Sequence, residues 1–402
     1  MTNPSPPAAG PLAGVRVIEL GQLIAGPFCG KTLADFGAEV VKIEPPGKGD
    51  PLRKWRLLKN GNSVWWEVQS RNKQSVTLDL TQREGQDVLR LLVKEADVLI
   101  ENFRPGKMEE WGLGYEDLKK LNPRLVMARI SGYGQNGPYR DRPGFGIIAE
   151  SMGGLRYLTA EPGRVPVRVG VSIGDTLAAL HGVIGILMAL YHRDACGGTG
   201  QVIDIALYES VFNCMESLLP EYSAFNVVRE AAGSALPGIV PSNAYPCKDG
   251  WILIGGNGDG IFKRLMKAIG RDDYAASPDM AGNDGRVKRV ADIDGAITAW
   301  TQSQKKANAL DILAAHDVPS GAIYSVADIA ADAQYRARDM ILNITTRDGY
   351  AVDVPGIVPK LSATPGGIRS TAPRLGEDTV AVLEQAGLKP ETLADLRAKG
   401  VI

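Results

Sequence analysis

Short apolar blocks bounded by turn formers alternate with stretches of helical periodicity along the first half of the chain. The pattern predicts a strand over 15–20, a turn over 21–27, a helix over 28–36 closed by Gly37, and a second strand over 39–44. That is a βαβ unit. Further strands are predicted over 75–80, 97–101 and 125–131, separated by helical stretches such as 82–94, which Thr81 is placed to cap. Such alternation implies an α/β fold, a parallel sheet with helices on both faces. An apolar helix over about 176–192 then runs to the turn Gly197-Gly198-Thr199-Gly200 and is followed by a strand over 201–207. Composition changes after about Pro220. Beyond it, 243–247 and 251–254 flank Lys248-Asp249-Gly250 as an antiparallel hairpin, the mark of a second domain. A further hairpin around Arg347-Asp348-Gly349 precedes two terminal helices, over 377–386 and 390–398. Residues 1–11, rich in Pro, Ala and Ser, offer little apolar surface to offset the entropy of ordering, and disorder is expected there.

With 402 residues, 44% of them apolar, the chain suits two domains of unequal size. Lys plus Arg number 45 against 46 Asp plus Glu, so no net field draws it to nucleic acid or to an anionic membrane, and neither is expected as a partner. Cys29, Cys196, Cys214 and Cys247 have neither paired nor metal-type spacing, and the chain opens without a charged-then-apolar signal segment. A reduced, cytoplasmic protein without a metal is expected. The apolar run 177–191 contains His181 and falls short of the ~20 residues a membrane helix needs. It is read as a buried helix.

The segment AGPFCGKT, residues 25–32, fits a relaxed phosphate-loop pattern, but Pro27 lacks an N–H and favours the first turn of a helix, which would place Lys31 inside that helix. Gly21, Gly26 and Gly30 are too widely spaced for a dinucleotide fingerprint, although Glu44 ends the second strand as a ribose-binding acid would. His181, His192 and His316 share no triad or metal spacing. Asp175, in Gly174-Asp175-Thr176 before the apolar helix, reads either as an N-cap or as a carboxylate held ionised and positioned for attack. The basic residues Lys42, Lys48, Arg53, Lys54 and Arg56, with Arg71 and Lys73 further on, read either as a solvated face or as a site for a phosphate-bearing ligand. Gly255-Gly256-Asn257-Gly258-Asp259-Gly260 after a strand reads either as a turn or, since it has more freedom than a turn needs, as a mobile lid.

In order and spacing, several segments together resemble the family III CoA-transferases, the group that includes formyl-CoA transferase, carnitine CoA-transferase and α-methylacyl-CoA racemase. They are PLAGVRVIEL with AGP at 25–27, DFGAEVVKIEPPGKGD ending at Asp50, RNKQSVTLDL from Arg71, ADVLIENFRPG from Ala96, LNPRLVMARISGYGQNGP from Leu121, the Asp175 segment, and PRLGEDTVAVL near the C-terminus. The resemblance implies a large domain with a Rossmann-like parallel sheet, built from 12–218 and a C-terminal return over 335–402. It also implies a smaller α+β domain over 225–330 that carries the glycine-rich lid, and two chains interlocked as a homodimer. Coenzyme A is then a co-substrate, with no permanently bound cofactor. Its phosphates are expected near Lys48, Arg71 and Lys73, and its pantetheine along Asn102, Phe103 and Arg104.

By the same resemblance Asp175 is the acyl-accepting residue, passing from mixed anhydride to aspartyl-CoA thioester, while backbone N–H groups around Gly255, Gly256 and Gly258 serve the reacting carbonyl. Racemase chemistry is the competing reading, but the histidine it requires should follow a glycine shortly after GYGQNGP, and Gly144 is followed by Phe145. A non-catalytic acyl-CoA-binding protein is the other alternative, disfavoured by the intact Asp175. Arg142, Arg164 and Arg168 precede Asp175 and read either as surface arginines or as partners for the second carboxylate of a diacid. Succinyl-CoA as donor and a dicarboxylic acid as acceptor are expected on that basis.

Overall fold

β1 (Arg16–Glu19), β2 (Glu39–Glu44), β3 (Lys73–Thr77), β4 (Val98–Glu101), β5 (Val126–Ser131) and β6 (Val202–Ala206) pair in the order β3-β2-β1-β4-β5-β6, each pairing parallel. This sheet is the spine of the first of two units in the computed structural model, which describes residues 10–402. Adjacent residues on a strand serve opposite faces, as the strand period requires. Ile18, Val41, Leu99 and Met127 join one apolar cluster with the helices Arg83–Val93, Thr379–Gln385 and Pro390–Ala398. Val17, Val40, Val98 and Val126 join another with Ala25–Asp35 and the inner face of Ile173–Ala195. Each such aliphatic side chain contributes roughly 1.5–3 kcal/mol by leaving water.

The unit comprises the chain up to Arg156, Arg168–Asn226 and Gln334–Ile402. The second unit comprises Tyr157–Val167 and Val227–Ala333. Its antiparallel sheet, β7 (Ser242–Cys247), β8 (Gly250–Gly255) and β9 (Ser320–Ala322), has the order β9-β8-β7. Ile252 and Ile254 bury against Phe262, Leu265, Ile293, Ile297 and Leu313 from three helices, an α+β arrangement. Segment 157–167, which the expected boundaries placed in the large domain, belongs here because the Gly233 N–H donates to the Ala160 carbonyl at 3.0 Å.

Several boundaries move for identifiable reasons. The first helix begins at Ala25 and not at 28, because Pro27 sits in its first turn, where a missing N–H costs nothing. Thr81 does not cap Arg83–Val93. The Asp79 carboxylate takes the Thr81 N–H at 2.9 Å and its hydroxyl at 2.6 Å, and the helix starts after Gln82 without a side-chain cap. The long helix begins at Ile173 behind Ser172, so Asp175 lies within its first turn and is not its cap. That helix is also buried on one face only: Leu180, Ile184, Met188 and Tyr191 are 40, 48, 66 and 68% exposed. By length and composition it could cross a membrane, while Ala178, Ala179, Val183 and Ile186 sit in the core. Residues 1–9 of the expected disordered tail lie outside the described residues, and the Leu12 N–H already donates to the Phe36 carbonyl at 3.0 Å.

At the carboxyl end of β1 charges are buried together. Glu19 is 0% exposed and lies 3.1 Å from the Lys42 ammonium and 2.7 Å from that of Lys73. Lys42 also reaches Asp50 at 2.9 Å and the Gly21 carbonyl at 2.6 Å. Removing the carboxylate that both ammonium groups share leaves buried charge uncompensated, so Glu19→Leu is expected to lower stability by about 3–5 kcal/mol. Urea unfolding checks this, and an unchanged midpoint and slope would show the network to be dispensable.

Candidate active site

In the observed strand order the direction in which successive strands are added reverses between the parallel neighbours β1 and β4, the place where an open parallel sheet leaves a crevice beyond its strand ends. The loops leaving these two strands are tied reciprocally: the Gln22 N–H donates to Asn102 Oδ1 at 2.8 Å, and Asn102 Nδ2 donates to the Gln22 carbonyl at 2.9 Å. Leu23 is left-handed, φ 64°, an unusual conformation for a side-chain-bearing residue, and Asp50 holds it by accepting its N–H at 3.0 Å. On β4, Glu101 accepts the Phe103 N–H and the Arg129 Nε–H, both at 2.7 Å, while burial pushes its carboxyl up to about 7.

These loops wall a cavity of about 320 Å³ that Asn102, Phe103, Arg104, Arg142, Phe145 and Asp175 all reach. A second cavity, of about 510 Å³, continues past Gln22 and Phe103 to Pro45, Lys48, Leu78 and Trp111. The structure therefore brings together Asn102, Phe103, Arg104, Arg142 and Asp175, and sets Lys48 on the adjoining cavity. Arg140 also lines the first cavity and was not singled out from the sequence.

Asp175 stands in the first turn of a 23-residue helix, whose N-terminal dipole favours a negative charge. Burial nevertheless pushes its carboxyl up to about 6; the Glu150 carboxylate adds to the rise and the Arg168 guanidinium opposes it. Glu150 is 2% exposed, with Oε2 3.6 Å from Arg168 Nε, and Arg168 Nη2 donates to the Ser172 hydroxyl at 3.3 Å. Gly146 is required by the same carboxylate, since a Cβ there would lie 2.0 Å from Asp175 Oδ2. Gly146 and Glu150 were missed in the sequence. They lie four apart on the helix Gly146–Met152 and so share the face that meets Asp175, a signal available only once that helix is known.

Other residues singled out from the sequence lie elsewhere or are already engaged. Arg71 and Lys73 are buried and paired. Arg71, 1% exposed, is bidentate on Asp35 at 3.0 and 2.7 Å and donates to the Pro355 carbonyl at 2.7 Å. Lys73, 3% exposed, spends its ammonium on Glu19 and on the Pro27 carbonyl. Both cations are consumed inside the fold. Gly255, Gly256 and Gly258 belong to the second unit, and the Gly255 and Gly256 N–H groups, expected to serve a reacting carbonyl, donate at 2.9 Å to the Pro319 and Pro241 carbonyls. Arg164 belongs to that unit as well. Lys31 lies within its helix beside Asp35 at 3.8 Å, and the Glu44 oxygens are taken by Arg53 at 2.8 Å each. His181 stands with Nδ1 2.8 Å from the Leu177 carbonyl and is not in the lining of the Asp175 cavity. Among the described residues, no group of three or more His, Cys, Asp or Glu is arranged to hold a metal, and the four cysteines are free.

A family model described as CoA-transferase family III matches residues 12–379. A succinyl-CoA–D-citramalate CoA-transferase of Chloroflexus aurantiacus is 47% identical over 405 residues, covering 100% of both chains. A succinyl-CoA–L-malate CoA-transferase beta subunit from the same organism is 44% identical over 98% of each chain. A crystal structure of a CaiB/BaiF family protein from Brucella suis matches with a TM-score of 0.83 at 35% identity, covering 94% of this chain and 100% of that one.

If Asp175 reacts as a carboxylate, turnover falls as pH drops through about 6, because protonation there removes the attacking charge. Glu150→Gln takes away one cause of the raised pKa, so the acid limb of its pH–rate profile is expected at lower pH than in the unaltered protein. A limb that does not move would release Glu150 from this role. Gly146→Ala, which forces the carboxylate aside, is expected to slow turnover by about 10²-fold with little change in the unfolding midpoint. A rate near that of the unaltered protein would show that the position is not constrained.

Proposed function

Since the chain belongs to CoA-transferase family III and is a CoA-transferase with CoA as its co-substrate, we propose that it moves CoA from succinyl-CoA to a dicarboxylic acid through a thioester on Asp175. The observation that carries this reading is the Asp175 carboxylate itself. It forms part of a cavity at the switch point, is partly withdrawn from water, and shares that cavity with the Arg104, Arg140 and Arg142 side chains. The names of the two Chloroflexus relatives, which join succinyl-CoA to citramalate and to malate, support the choice of donor and of acceptor class.

In this mechanism Asp175 attacks the thioester carbonyl of succinyl-CoA. The C–S bond breaks, CoA leaves as its thiolate, and a mixed anhydride joins Asp175 to the succinyl group. The thiolate attacks the Asp175 carbonyl, succinate leaves, and Asp175 carries CoA as a thioester. The acceptor carboxylate attacks that thioester, the thiolate departs and then takes the acyl group, and Asp175 is restored. No net proton is transferred, so a histidine partner is not needed. The Lys48 cavity takes the nucleotide end of CoA, and the Asn102–Phe103–Arg104 loop takes the pantetheine, which leads to Asp175. The reading includes a homodimer, supported by the exposed row Leu180, Ile184, Met188 and Tyr191, which a second copy would cover.

Protein mixed with succinyl-CoA and quenched with hydroxylamine or borohydride is expected to carry a mass change confined to the Asp175 peptide and absent from Asp175→Ala. An unmodified peptide in protein that turns over would overturn the covalent route.

A further inference from the structure

A third cavity of the first unit, of about 390 Å³, shares Ile24 with the Asp175 cavity, and Ser172 and Thr176, which flank Asp175 in the chain, line it. Its apolar lining comes from Phe28, Trp65 and Val68. Besides Ser172 and Thr176, two polar side chains interrupt that lining, and the mechanism above uses neither. Gln69 ends the helix Val64–Gln69, is 2% exposed, and its Oε1 has no hydrogen-bond partner among the described residues. A buried amide left unpaired costs stability, so its retention at a cavity wall points to a partner that arrives from outside. Arg56 is exposed and left-handed at φ 58°, with its guanidinium 5.1 Å from the Trp65 ring. Such backbone strain in a side-chain-bearing residue persists where the surrounding structure fixes it, and here it accompanies a cation beside the aromatic wall.

The cavity thus offers an apolar slot, a guanidinium, an amide with unspent capacity, and the positive N-terminal end of the helix that carries Asp175. Arg168, the other cation near that helix end, is already engaged by Glu150 and Ser172. We propose that this cavity takes the distal carboxylate of the acid whose near carboxylate reacts at Asp175. In that arrangement Arg56 pairs with the distal charge, Gln69 Nε2 donates to it, and Gln69 Oε1 accepts from a hydroxyl on the acid's backbone. The assignment rests on the CoA-transfer reading of Asp175 and makes Arg56 and Gln69 specificity-determining residues for dicarboxylic acids over monocarboxylic acids of equal length.

The test is a competition in one tube. Succinyl-CoA is supplied with equimolar glutarate and valerate, which have the same number of carbons, and the ratio of glutaryl-CoA to valeryl-CoA formed at early times is read by mass spectrometry. Both products come from the same loaded enzyme, so the ratio does not depend on how much of a variant folds or on how fast the donor loads it. The unaltered protein is expected to favour glutarate. Arg56→Met should lower the ratio at least tenfold, Gln69→Leu should lower it several-fold, and Arg56→Lys should restore part of it. A ratio within twofold of the unaltered protein in both Arg56→Met and Gln69→Leu would overturn the assignment while leaving CoA transfer intact. Absence of either product from the unaltered protein, together with absence of exchange of succinyl-CoA with labelled succinate, would instead overturn the CoA-transfer reading and this inference with it.

Discussion

A carboxylate shared by two buried ammonium groups, Glu19 between Lys42 and Lys73, sets the geometry from which the rest of the first unit follows. Burying charge is costly unless each ion is paired and its remaining donors are satisfied. That cost is offset by links which are also geometric constraints: Lys42 holds the Gly21 carbonyl and Asp50, and Asp50 in turn holds the Leu23 N–H. The loop after β1 is thereby fixed on the side where β4 sends out Asn102 to meet Gln22. The cavity beside Asp175 thus depends on an ion network that does not touch it.

The same economy ties the C-terminal return to the sheet. Asp35 receives Arg71 and Asn72, and those two residues also donate to the Pro355 and Gly367 carbonyls, while Arg53 joins Glu44 to the Pro373 carbonyl. Segments that carry much of the resemblance, DFGAEVVKIEPPGKGD and RNKQSVTLDL, supply Asp35, Lys42, Glu44, Asp50, Arg71, Asn72 and Lys73 to these contacts. The cavity beside Asp175 is walled by shorter pieces, the Gln22 turn and the Asn102–Arg104 loop.

This division explains what the sequence made legible. Strands β1, β4 and β5 were readable because adjacent pairs such as Val17 and Ile18, Val98 and Leu99 or Val126 and Met127 are both apolar, the pattern of a strand buried on two faces. Asp175 drew notice at the head of a long apolar helical stretch, but position alone left a cap as the other reading, and only the resemblance gave it a role. Arg71 and Lys73 were misread because charge along a chain does not reveal burial: the partner of Lys73 lies 54 positions away and that of Arg71 lies 36 positions away. Gly146, Glu150 and Gln69 gave no local signal for a similar reason. Each matters through what faces it, and those neighbours are set by the packing of helices that the chain pattern orders but does not place.

On the proposed covalent route, the setting of Asp175 reconciles two opposed requirements. A nucleophilic carboxylate must be ionised, which favours exposure, a helix N-terminus and a nearby cation; a thioester or anhydride on that carboxylate must be kept from water, which favours burial. Burial and Glu150 raise its pKa, and Arg168 lowers it; at about 6, Asp175 remains ionised at neutral pH while being more basic than a solvated carboxylate. Burial gives the balance its direction and Glu150 adds to it, because an uncharged side chain there would leave the same burial but a weaker base. A second, fixed carboxylate beside the first is therefore consistent with a site that must form a reactive acyl group and hold it until the next acid arrives.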